Sequence, residues 1–519
     1  MEITVLGVPR QGISATVVDL CAIALLAMIT RLPLLNSVTG IDMDEGAFAI
    51  AARELLHGHL PYLTFFDNKP FGSTAIIAAA MAGFGESVAV LHAVGIAAVA
   101  TTGGVLYLIT RRIGLGRMAA VSAALFYVLF STRLHGMATL TEILLAPFTA
   151  GGVFVLLGQW RRDRQATTAG RRVAAFGVAG LLFGIAIWIK YLPVFSAIET
   201  GGLTLLFLLV TVRTGIGEVV ACAAIFSVSA ALPTVATVLV YWNAGVLPEF
   251  WYSNFGFTSS YITIIIPKIV FEQLLNAAKD IWPLVGLAFL LLVPPLRRDV
   301  FSDSKRGMRA VVGVWVVAEG IAVCAPLKFW TIYFLMMLPP FCIIASMTID
   351  AVAHRLGAPG KTATLALVFS IQLALFPAVR YAKDTARLAI HPDLWRDVAG
   401  SVERNLAPGE TFWAVNLPPI IYLLAHADLP TRYAYPNHLI GILRNLAPVD
   451  HAAEVRRILD NRPRAIVIDK NEYNWIKEAP QDAPLKSLIK ERLEKDYVPK
   501  STIDSSDGQF DVHIFVLKD

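Results

Sequence analysis

The chain has 519 residues, 56% hydrophobic and only 16% charged, with a mean hydropathy of +0.62. That balance excludes an ordinary soluble globular protein, and a net charge of +5 spread over short loops does not point to nucleic acid. The four cysteines, Cys21, Cys222, Cys324 and Cys342, lie in apolar runs without metal-ligand spacing and read as small core residues.

Apolar runs long enough to cross a hydrocarbon core of about 30 Å recur to about residue 380. Spans are predicted over 15–36, 88–110, 117–133, 141–160, 173–190, 196–212, 218–241, 280–296, 310–327, 329–350 and 362–380. The first lacks a signal-peptide cleavage site and is read as retained. Segment 70–85 is too short to span comfortably and is predicted to be a half-buried or re-entrant helix. With a cytoplasmic N-terminus, three basic loops then fall on one side: Arg111-Arg112 to Arg117, Arg161-Arg162 to Arg172, and Arg297-Arg298 to Arg309. The count is eleven spans, with loop 37–87 and the C-terminus periplasmic.

Beyond residue 381 the composition changes. Thr411–Val415, Ala465–Ile468 and Val512–Leu517 read as strands. Segments 395–406, 451–461 and 483–494 read as amphipathic helices. The expected organisation is a transmembrane catalytic domain over 1–380, with the active site in loop 37–87, and a small periplasmic α/β domain over 381–519.

Loop 37–87 carries the chemistry: Asp42-Met43-Asp44-Glu45, His57-Gly58-His59-Leu60-Pro61-Tyr62 and Asp67-Asn68-Lys69-Pro70. Ionisable groups beside a bilayer are costly unless they have a role. Ala47, Phe48, Ala51, Leu55 and Leu56 recur at helical spacing opposite Arg53 and Glu54, as in a helix lying along the membrane surface. Asp44 fits either an N-cap or a general base. Glu45 fits an orienting residue or a ligand for a divalent ion. Lys69 fits headgroup snorkelling or phosphate binding, and Glu142 fits a macrodipole partner or a site residue. Lys190 and Lys328 fit interfacial anchors or substrate contacts. Arg133 and His135 share the outer side. His57 and His59 lack a ligand constellation. Trp251, Tyr252 and Tyr261 fit an aromatic belt or a loop over a sugar site.

These residues resemble the first periplasmic loop of the GT-C membrane glycosyltransferases. The resemblance is to the branch with protein O-mannosyltransferases and lipid A aminoarabinose transferases. Its members carry Asp-Glu after the first span, a Gly-x-x-Pro-Tyr turn, then Lys-Pro-Pro. Thr141-Glu142, Lys190-Tyr191-Leu192-Pro193, the stretch from Tyr241 to Asn254, and Lys328 through Tyr333 to Pro339-Pro340 resemble later landmarks of the group. Phe71 replaces the second proline, and Ala47-Phe48 stand where aminoarabinose transferases carry Arg-Tyr, so the resemblance does not specify the sugar.

The resemblance implies inverting transfer from a polyprenyl-phosphate sugar to an envelope acceptor: lipid A or lipopolysaccharide, another glycan, or a protein. The location implied is a bacterial inner membrane. Asp44 and Glu45 are the catalytic candidates. Lys69, Lys328 and Tyr333 are the donor-phosphate candidates. Arg133, His135, Glu142, Lys190 and Tyr252 are further substrate-binding candidates. No residues are assigned to a metal, and a divalent ion stays open as cofactor. The competing reading is a lipid-linked sugar flippase or transporter, which predicts charges mid-span and paired broken helices. Among the spans only Glu319 sits that way. A non-catalytic scaffold leaves the Asp-Glu and Lys-Pro cluster without a purpose.

Overall fold

A computed structural model describes residues 10–38, 41–160, 167–263, 265–357, 361–390, 393–441, 444–471, 482–505 and 508–519. The expected basic positions Arg161, Arg162 and Arg164 lie outside the described residues. By its internal contacts the chain divides into two units. One comprises Met1–Pro33, Ala93–Val240 and Ile265–Lys383; the other comprises Leu34–His92, Tyr241–Ile264 and Asp384–Asp519.

The first unit is helical. Seven described helices of the chain are long and apolar enough to cross a membrane, and a bent pair ending in Pro267–Leu290 raises this to eight. The seven coincide with predicted spans 15–36, 88–110, 173–190, 218–241, 310–327, 329–350 and 362–380. Spans predicted at 117–133, 141–160 and 196–212 are the shorter apolar helices Arg117–Phe130, Thr141–Leu157 and Val194–Val210. The predicted span 280–296 is misplaced. The helix runs Pro267–Leu290, and Pro294 opens the next one. Lys268, Glu272 and Lys279 lower the hydropathy of its first half, while a proline in the first turn suits a helix start.

Small residues set the packing. A Cβ on Gly180 would stand 2.3 Å from Phe226 O, and one on Gly184 2.5 Å from Ala230 O. This Gly-x-x-x-Gly face lets helix Ala169–Ile189 approach the backbone of Ile216–Asn243. The basic loops meet at one end of the unit, where Arg309 Nε donates to Ile113 O at 3.2 Å and Arg117 pairs with Asp19 at 2.7 Å. Helices Arg117–Phe130 and Thr141–Leu157 connect that end to the other. Arg112 donates to Phe154 O near the foot of the second of these, and Glu142 lies at its opposite end.

The second unit holds helix Met43–Leu56, helix Phe71–Phe84 where a half-buried or re-entrant helix is expected, and a four-stranded sheet. Its strands are β1 (Phe412–Ala414), β2 (Ala465–Asp469), β3 (Tyr497–Asp504) and β4 (Asp511–Leu517), in the order β1-β2-β4-β3. β1 and β2 are parallel; β4 runs antiparallel to both β2 and β3. β1, β2 and β4 match expectation, whereas β3 does not appear in the sequence pattern. β3 is an edge strand that contains Pro499 and is largely exposed, so no buried face marks it. Helices Leu394–Glu403, His451–Asp460 and Ala483–Asp496 form near the expected positions. The core of this unit joins Trp413, Val455, Ile458, Ile466 and Ile489 to Phe66 and Phe257.

Candidate active site

Asp42, not Asp44, caps helix Met43–Leu56: its carboxylate accepts from Asp44 N–H. The cap is satisfied two residues earlier, so the Asp44 side chain is free for other contacts. Its Oδ1 accepts from Lys69 Nζ at 3.2 Å and from the Tyr435 hydroxyl at 3.2 Å. Among the described residues both hydrogen bonds to the Asp44 side chain fall on Oδ1, so Oδ2 is the oxygen open to an incoming proton.

Lys69 also donates to Asn68 Oδ1 at 3.0 Å and lies 3.9 Å from Asp67. The Asp44 and Lys69 side chains keep 19% and 22% exposure, against 7% for Asp67, so the first two are the groups a substrate can reach. Burial disfavours the Lys69 ammonium, but the carboxylates of Asp44 and Asp67 outweigh burial and hold it above the usual lysine range. It stays a cation throughout physiological pH. Burial raises Asp67 despite the neighbouring lysine.

The Gly-x-x-Pro-Tyr turn positions Lys69. Gly58 has φ +87° and Tyr62 has φ +72°, the second an uncommon conformation for a side chain of that size. The turn is fixed by Tyr62 N–H donating to Phe65 O and the Tyr62 hydroxyl donating to Lys69 O, both at 2.8 Å. Tyr241 donates to Pro61 O at 3.0 Å, and its ring and that of Phe250 pack on Tyr62. Pro70 then starts helix Phe71–Phe84, and Phe71 packs edge-on against Tyr241.

Arg53 and Glu54 correct the surface-helix reading. Both are buried, because residues of the C-terminal segment cover the face expected to meet solvent. Arg53 donates to Tyr422 O at 2.9 Å and pairs with Glu54, which also meets His59 at 3.0 Å. Glu45 is buried too, with His92 Nε2 at 3.2 Å while His92 Nδ1 faces Leu35 O. It therefore points to a different partner from Asp44.

Asp42 is pushed up to about 7, first by burial and then by the charge of Asp44. A carboxyl raised in the folded state binds more protons there than when unfolded. It therefore costs nothing at low pH and destabilises increasingly as pH rises toward 7. Asp42→Asn keeps a capping oxygen and removes that cost. The expected result is a melting temperature above wild type at pH 8, with the gap narrowing toward pH 5, read by thermal unfolding in detergent.

The other candidates lie in the first unit, Tyr252 excepted. Lys190 pairs with Glu142 and stands 4.0 Å over the Tyr333 ring, while Thr141 donates to Glu142 at 2.9 Å. Arg133 and Arg380 share Asp280 at 2.9 and 3.0 Å, and His135 follows in a left-handed turn. Lys328 is buried, which lowers its affinity for a proton. Tyr252 donates to Leu446 O at 2.9 Å and packs on the core of the second unit. Among the described residues no three His, Cys, Asp or Glu stand together at metal-binding spacing.

Sequence reasoning missed Tyr435, His438 and His92. His438 is buried against Phe66 and Tyr435, with Nδ1 lacking a hydrogen-bond partner among the described residues. Burial, aided by the Lys69 charge, pushes it down to about 3, so it is a neutral imidazole. Nothing local marks Tyr435 and His438. His92 could have been noticed as a lone histidine near the start of an apolar helix.

The fold is that of the GT-C membrane glycosyltransferases. In particular, the chain is similar to ArnT from Cupriavidus metallidurans bound to undecaprenyl phosphate. The TM-score is 0.64 at 15% identity, over 97% of this chain and 98% of that one. It is also similar to the archaeal oligosaccharyltransferase AglB from Archaeoglobus fulgidus, in complex with an inhibitory peptide and a dolichol-phosphate. That TM-score is 0.52 at 15% identity, over 96% of this chain and 74% of that one. No family model and no curated protein matches the sequence.

Proposed function

We propose that the protein is an inverting glycosyltransferase of the bacterial inner membrane. It moves a sugar from a polyprenyl-phosphate donor to a lipid, glycan or protein acceptor on the periplasmic side. The observation that carries this reading is the partly exposed Asp44–Lys69 pair, in the loop that follows the first span in sequence, within a GT-C fold. The relatives solved with undecaprenyl phosphate and dolichol-phosphate support a lipid-linked donor. The meeting of two basic loops at one end of the first unit supports their lying on the same side of the membrane, the side we propose is cytoplasmic.

In the proposed step the acceptor hydroxyl gives its proton to Asp44 Oδ2, and its oxygen bonds to the anomeric carbon. The bond from that carbon to the phosphate oxygen breaks, and its electron pair leaves on polyprenyl phosphate. Lys69 exchanges Asp44 Oδ1 for a phosphate oxygen and meets the charge that develops there. Preorganised cations beside a low-dielectric region are effective in this role. Lys328 and Tyr333 are proposed to assist, Lys328 because an arriving phosphate would offset its desolvation. A single displacement inverts the anomeric configuration. Glu142, Lys190, Arg133, His135 and Tyr252 are kept as substrate-binding proposals, and Glu45 as an orienting residue through His92.

The test is incubation of the purified protein with a panel of radiolabelled polyprenyl-phosphate monosaccharides and envelope acceptors. The expected result is transfer from one donor class with inverted configuration. Retained configuration would overturn the single-displacement mechanism.

A further inference from the structure

The C-terminal segment runs along the wall of this site. Arg432 O accepts from Phe66 N–H at 2.7 Å, and the rings of Tyr433 and His438 pack on Phe66 at 5.4 and 4.9 Å. These contacts carry Tyr435 to Asp44, 391 residues earlier in the chain. The turn Pro436–His438 follows directly. We infer that Tyr435 is a positioning residue for the transfer step. Its hydroxyl, with Lys69, holds Asp44 Oδ1 so that Oδ2 faces the acceptor hydroxyl, and the Tyr435–His438 turn lines the acceptor side of the site.

Two observations favour this over simple packing. Tyr435 spends its hydroxyl on the one oxygen that Lys69 already occupies, which fixes the carboxylate plane from two directions. When Lys69 turns to a phosphate, Tyr435 is the remaining donor that keeps Asp44 in place. In addition, His438 Nδ1 is buried without a partner among the described residues. Native structures seldom leave such an atom unsatisfied, and a small shift of the Tyr435–His438 turn on acceptor binding would open it to an acceptor hydroxyl.

The inference rests on Asp44 acting as base. Its test is Tyr435→Phe, which keeps the ring and removes the hydroxyl. kcat and the affinity for undecaprenyl phosphate are measured side by side with wild type. The expected result is a fall in kcat of about tenfold or more, the scale of a hydrogen bond to a charged group, with lipid-phosphate affinity unchanged. Unchanged kcat would overturn the inference. An equal loss of kcat and of affinity would also overturn it, by showing that Tyr435 only supports the fold of the site. If the wild type transfers sugar from no donor, the proposed function itself fails, an outcome distinct from either.

Discussion

Asp44→Asn is expected to lower sugar transfer by about 10²–10⁴-fold, the usual contribution of a positioned general base. Binding of the lipid donor should persist. Asparagine keeps an oxygen for Lys69 and Tyr435 to donate to, so the local hydrogen bonds survive. Asp42 remains as cap, and the helix loses only a favourable first-turn charge worth about 0.3–1 kcal/mol. Transfer kinetics beside equilibrium donor binding separate the two effects. Transfer that survives would place the base elsewhere, with Glu142 the next carboxylate to examine.

Lys69→Met is expected to do the opposite, weakening donor binding before chemistry. Methionine retains much of the stem but no ammonium. A hydrogen bond to a charged group contributes about 1.5–3 kcal/mol, which corresponds to roughly 10–100-fold in affinity for undecaprenyl phosphate. The variant also leaves Asp44 and Asp67 without the cation between them, so a lower melting temperature should accompany the affinity loss. Lys69→Arg keeps the charge and should recover part of the binding. Affinity unchanged in Lys69→Met would remove this residue from the phosphate site.

The parts of the site that were legible in the sequence are those made by one short loop. Asp44 and Lys69 are 25 residues apart, and the intervening Gly-x-x-Pro-Tyr turn, closed by the Tyr62 hydroxyl on Lys69 O and buttressed by Tyr241, brings Lys69 back to Asp44. Tyr435 was invisible because nothing in its neighbourhood distinguishes it; only tertiary packing on Phe66 delivers it. Arg53 and Glu54 were misread because an amphipathic pattern assumes one open face. Here both faces of the helix are covered, and the ions pair with each other and with Tyr422 O. The long apolar helices were readable from hydropathy. Helix Pro267–Leu290 was not, since its charged first half hides it, and β3 was not, since an exposed edge strand carries no alternation.

The central claim is group transfer from a lipid phosphate, and one measurement addresses it most directly. The purified protein is placed in liposomes with a polyprenyl-phosphate sugar labelled in the sugar and an acceptor extract from the envelope. Acceptor-bound label and free polyprenyl phosphate are then quantified together. The account predicts that both appear in equal amounts and that both vanish in Asp44→Asn. Label that crosses the bilayer still joined to its intact lipid, with no polyprenyl phosphate released, would contradict it and favour a flippase.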